Sequence, residues 1–127
     1  MAARLVSPSC GRNRRPISEV VMERVLAWSG SERRKARVLE FACGTGEHAG
    51  YISSVMHADG VLEFWQPTDK DVTPEAAASV AAWSEFEKVP AGVVQPAKEL
   101  VRIVIRVCMC TDTQKESDDD SLYTSVV

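Results

Sequence analysis

The stretch VLEFACGTGEHA, Val38 to Ala49, constrains the fold of this chain more than any other. Val38-Leu39-Glu40-Phe41-Ala42 is a short, mostly apolar run of the kind a buried parallel strand shows. It ends in the glycine-rich turn Cys43-Gly44-Thr45-Gly46. From Glu47 to Met56, Tyr51, Ile52, Val55 and Met56 then share one helical face. Strand, glycine turn and helix in that order begin a βα unit.

The pattern repeats on both sides. Ile17, Val20, Val21, Val25 and Trp28 fall at helical spacing after Pro16, which suits a first helical turn, and Gly30 suits the end. Asp59-Gly60 is a turn signal, and Val61 to Trp65 reads as a second strand, stopped by Pro67. Pro74 opens an alanine-rich helix through Phe86, with Val80, Trp83 and Phe86 as its apolar stripe. Val93-Val94 is placed at the start of a third strand. The alternation predicts an α/β fold, a Rossmann-like parallel sheet with flanking helices.

The 127 residues allow one small domain. Residues 1–15 read as a basic amino-terminal arm, 16–100 as the domain, and 101–127 as a strand followed by a disordered acidic tail. In that last part Leu100 to Cys110 is strongly β-prone, and Asp118-Asp119-Asp120 follows in a segment without apolar periodicity.

Composition removes several classes of function. The longest uncharged stretch, His48 to Ala58, is eleven residues, well short of the roughly 18 a membrane span needs, so no membrane partner is expected. Up to Arg37 nine Lys/Arg face three acids, whereas from Val38 six bases face fifteen acids. The basic front invites a nucleic-acid reading, but three of its bases form the run Arg33-Arg34-Lys35, a solvated loop, and nucleic acid is not expected as a partner. Cys108 and Cys110 lack the second pair or the histidines a zinc site needs, so no metal is expected and the four cysteines read as structural thiols. Four arginines and no acid in the first fifteen residues faintly resemble a mitochondrial presequence, but Ser7-Pro8-Ser9-Cys10-Gly11 would break its helix, and a cytoplasmic location is expected.

The chemistry concentrates at the glycine turn. Glycine there lets a ligand approach the backbone, and the helix that follows offers free N–H donors. Asp69, 23 residues past Gly46, ends the second strand where a carboxylate could accept both hydroxyls of a ribose. A nucleoside cofactor is therefore expected. Gly44-x-Gly46-x-x-Ala49 also fits the dinucleotide fingerprint, which keeps an NAD-binding Rossmann fragment as the alternative. Glu40, at the carboxyl end of the first strand, argues the other way. Two like charges about 4 Å apart repel by about 4 kcal/mol at an effective dielectric of 20, which penalises a pyrophosphate beside it. S-adenosylmethionine has no phosphate and carries a sulfonium and an ammonium, so the same carboxylate attracts it. A Glu40 turned to solvent or paired with Arg37 would do neither.

Other residues carry less. His48 reads as a capping or packing residue, His57 as an exposed helix end, and Trp65 and Trp83 as core aromatics. Arg12, Asn13 and Arg14 either fold over the cofactor mouth or form a mobile arm. No catalytic residue can be assigned.

Glu40-Phe41-Ala42-Cys43-Gly44-Thr45-Gly46 resembles motif I of the class I, Rossmann-like methyltransferases, with Ala42 where the first glycine usually stands. Together with Arg12-Asn13 followed by Pro16-Ile17, Glu47-His48-Ala49, Trp65-Gln66-Pro67-Thr68-Asp69 and the alanine-rich helix ending near Trp83, it resembles the methyltransferase-like 26 family from about Ser7 to Leu100. The resemblance implies an S-adenosylmethionine-dependent enzyme. It also implies that Glu40, Ala42, Cys43, Gly44 and Gly46 border the methionine part and Asp69 the ribose, with Asp71 as a substitute. It further implies that the chain holds the amino-terminal half of the fold, truncated after about Leu100. Such a half is expected to fold poorly, bind cofactor weakly and turn nothing over alone. The methyl acceptor is not legible. A non-enzymatic protein using its basic front to engage an acidic partner is the remaining alternative.

Overall fold

The computed structural model describes residues 3–32, 34–100 and 124–126. Helix α1 (Pro8–Glu32) is followed by β1 (Ala36–Glu40), α2 (Glu47–Ala58), β2 (Leu62–Asp69), α3 (Pro74–Phe86), β3 (Lys98–Glu99) and β4 (Thr124–Val126). The four strands form one parallel sheet in the order β3-β2-β1-β4. The fold is α/β, Rossmann-like, with helices linking its parallel strands.

The core follows from two periodicities. Along β1 every second residue (Ala36, Val38 and Glu40) is buried, the row of one sheet face. On α1 the buried positions are Ser18, Val21, Met22 and Val25, at i, i+3, i+4 and i+7. Val20, expected on this stripe, is 52 % exposed, and Met22 takes its place. Val21, Met22, Val25, Ala36 and Val38 pack with Ala49, Ile52 and Met56 of α2 and Leu62 and Trp65 of β2 into one cluster. Full burial of an Ile or Met side chain contributes about 1.5–3 kcal/mol.

Phe86, expected on the apolar stripe of α3, is exposed, and four further sequence expectations change. Residues 8–15, read as part of an arm, are the first two turns of α1, because Pro8 can open a helix as well as Pro16 can. Ser7 precedes it, its carbonyl accepting the Gly11 N–H at 3.1 Å, and Pro16 lies inside the helix. Pro67 does not stop β2, which runs on to Asp69. Trp65, on the same side of the strand as Pro67, exchanges its N–H and C=O with Val93 and Gln95. The N–H that Pro67 lacks would therefore point to that outer side, away from β1. Gln66 Nε2 stitches the gap, donating to the Pro67 and Pro96 carbonyls at 2.9 Å each. Val94 makes only an isolated bridge to Trp65, and the third strand is the short β3. Thr124–Val126, within the expected disordered tail, pairs with β1 as β4. The expected strand at Leu100 to Cys110 lies outside the described residues apart from Leu100.

Among the described residues no helix is long and apolar enough to cross a membrane.

Candidate functional site

Glu40 ends the buried row of β1, so the period that buries Val38 also buries its carboxylate, 6 % exposed. Neither of its simpler alternatives holds, solvent or a pair with Arg37. Arg37 Nε instead lies 2.9 Å from Glu63 Oε2, and Glu40 Oε2 accepts the Trp65 indole N–H at 2.8 Å. Burial drives the Glu40 carboxyl up to about 7; the indole hydrogen bond opposes this and the nearby Asp69 charge adds to it.

Asp69 stands at the corresponding end of β2. Its Oδ2 accepts the Gly44 N–H at 2.8 Å and its Oδ1 the Lys70 N–H at 2.7 Å. The Cys43 N–H donates to the Thr68 carbonyl at 2.8 Å and the Gly46 N–H to the Cys43 carbonyl at 2.9 Å. The elbow and the two strand ends are thus brought together, as the sequence spacing implies. Cys43 is buried, and burial together with the Glu40 and Asp69 charges pushes its thiol up to about 12. That thiol is no nucleophile at neutral pH.

The elbow residues serve different ends. Ala42, where the resemblance leads one to expect glycine, has φ 56 and so adopts the left-handed conformation glycine favours. Gly44, φ 52, has open space where a Cβ would stand. A Cβ on Gly46, φ 84, would meet the Val80 Cα at 2.5 Å, so this glycine is required by the close approach of α3. Gly50, one turn on, repeats the requirement against the Trp83 backbone at 2.9 Å. Only Gly44 leaves its side-chain direction open for a ligand.

The amino-terminal residues are fixed. Leu5 N–H donates to Ser79 Oγ at 2.9 Å, Ser79 Oγ donates to the Thr45 carbonyl at 2.7 Å, and Trp83 Nε1–H donates to the Leu5 carbonyl at 2.8 Å. Arg14 lies 3.4 Å from Glu47 Oε1 and 3.9 Å from Glu87 Oε1, with Glu47 3 % exposed, so it clasps α1 to α2 and α3. Arg12 and Asn13 are exposed on α1. Arg4, Arg15, Arg34 and Arg37 of the basic front also face partners within the chain. His57 is exposed, whereas Thr45 Oγ1, Glu47 Oε2 and His48 Nε2 are buried without a hydrogen-bond partner. Among the described residues no group of three or more His, Cys, Asp or Glu could hold a metal ion.

Sequence reasoning missed Trp65 as part of this site. Its signal was a lone N–H donor in a strand that faces the Glu40 strand.

Residues 4–107 match the family described as a protein of unknown function, DUF938. The chain belongs to the DUF938 family. The match takes in the pinned residues before α1, the whole elbow and both carboxylates, and it runs past Leu100 to residue 107. No curated protein and no solved structure matches this DUF938 chain significantly.

Proposed function

We propose that this DUF938 protein binds S-adenosylmethionine at the carboxyl ends of β1 and β2, as the donor-binding part of a methyltransferase. The observation that supports this best is the pair of acids at the elbow. The Asp69 charge bears on Glu40, yet the hydrogen bonds the two acids accept come from neutral N–H groups: the Trp65 indole and the Gly44 and Lys70 amides. A buried carboxylate without a cation is costly, and such groups gather at functional sites. A ligand with positive charge and no phosphate relieves that cost, whereas a pyrophosphate increases it.

The donor set fits the cofactor. Glu40 would face its cationic methionine part beside the open Gly44, and Asp69 retains acceptor capacity for ribose hydroxyls. When bound, the sulfonium supplies an activated methyl group to a nucleophile. The chain's own part is to attract that cation, orient it against the elbow and hold it.

Isothermal titration of the 127-residue chain, its folding followed by circular dichroism, tests the reading. Saturable binding of S-adenosylmethionine, weakened at least tenfold in Glu40→Gln, supports it. A folded chain that ignores S-adenosylmethionine and S-adenosylhomocysteine, or prefers NAD, overturns it.

A further inference from the structure

Trp65 is 1 % exposed in the core between the sheet and the helices. Its register partner on β1 is Val38, not Glu40, so its hydrogen bond to Glu40 runs diagonally toward the carboxyl ends of the strands. An indole has one polar atom and can only donate. Here that atom meets the single acid of the buried row Ala36, Val38 and Glu40. It occupies Oε2, and no described residue donates to Oε1.

We propose that Trp65 is a positioning residue for the cation site: its indole N–H pins Glu40 by one oxygen and presents the other to the ligand. The inference rests on the reading of the site given above. It adds the residue on which the carboxylate's direction and charge depend.

Burial favours the neutral carboxyl, and so do the two titratable neighbours, Asp69 and the Cys43 thiol, whenever they carry charge. The indole N–H is the donor that favours the charged form. Without it Glu40 keeps its proton to higher pH, and a neutral carboxyl offers a sulfonium or ammonium no Coulombic attraction. A tryptophan that only filled the core would leave the Glu40 titration unchanged when replaced by another large aromatic.

Trp65→Phe removes the N–H and keeps an aromatic ring. The decisive measurement is the Glu40 carboxyl titration by carbon NMR in the ligand-free chain. The expected result is a midpoint about one unit above that of the wild type, lowering the charged fraction at pH 7 about fivefold. S-adenosylmethionine affinity at pH 7 falls by a similar factor and is insensitive to Trp65→Phe in a Glu40→Gln background. An unmoved Glu40 midpoint in a folded variant overturns the proposal. A shifted midpoint in a chain that binds no cofactor keeps the positioning role and removes the cofactor reading. Should Trp65→Phe fail to fold, the indole N–H resonance of the wild type decides: it must titrate with Glu40, and a pH-independent resonance overturns the proposal.

Discussion

The Asp69 carboxylate closes the glycine elbow: Oδ2 accepts the Gly44 N–H at 2.8 Å and so ties the end of β2 to the turn leaving β1. The contact serves stability as well as any ligand. Asp69→Ala leaves two main-chain N–H groups without their acceptor and is expected to lower stability by about 1 kcal/mol, since water replaces part of the loss at this half-exposed place. Urea denaturation measures this. S-adenosylmethionine titration should show a larger loss than that destabilisation explains.

Glu40→Gln separates the folding cost of the buried acid from its use. The native carboxyl holds its proton to about pH 7 and the unfolded one to its ordinary 4.5. Between those values the folded chain binds more protons, so stability falls as pH rises through that window and stays reduced above it. The glutamine variant lacks this penalty. It should match the wild type near pH 4.5 and exceed it by up to roughly 3 kcal/mol at pH 8, by urea denaturation at each pH.

Cofactor affinity should follow the same group in the opposite sense. As Glu40 ionises, the wild type should bind S-adenosylmethionine more tightly, by up to about tenfold per pH unit below 7, with a plateau above. Calorimetric titration from pH 5.5 to 7.5, below the range in which the ligand's own ammonium loses its proton, tests this, and the Glu40→Gln profile should be flat there.

Ala42→Gly should stabilise the chain. Its φ of 56 costs an L-residue roughly 1–2 kcal/mol, of which the greater freedom of glycine in the unfolded chain cancels part. A net gain of up to about 1 kcal/mol is expected in thermal and urea melts.

The two glycines of the elbow should respond unequally. Gly44→Ala places a methyl in open space and costs about 1 kcal/mol for its positive φ. Gly46→Ala drives a methyl into the Val80 backbone and should cost about 3 kcal/mol or more. Equal costs in urea denaturation would refute this account of Gly46.

The elements set by local chemistry were legible in the sequence. Helix α3 spans Pro74–Phe86 as expected, because Pro74 takes the first turn and Thr73 caps it by accepting the Ala76 N–H. The meeting of Asp69 and the elbow followed from strand length and spacing. What local reading misjudged depended on neighbours. Pro67 stays in β2 because its missing donor faces away from β1, and Gly46 answers to Val80 of α3, 34 residues further on. The Glu40–Trp65 bond needs the strand register, which neither segment carries alone.

The obstacle facing Gly46 is the Cα of Val80, an atom every amino acid has. Trimming the Val80 side chain therefore creates no room, and the usual evolutionary escape, a compensating smaller partner, is closed at this point. A descendant that had lost every ligand would still need glycine at this position, so its presence here says more about helix spacing than about chemistry.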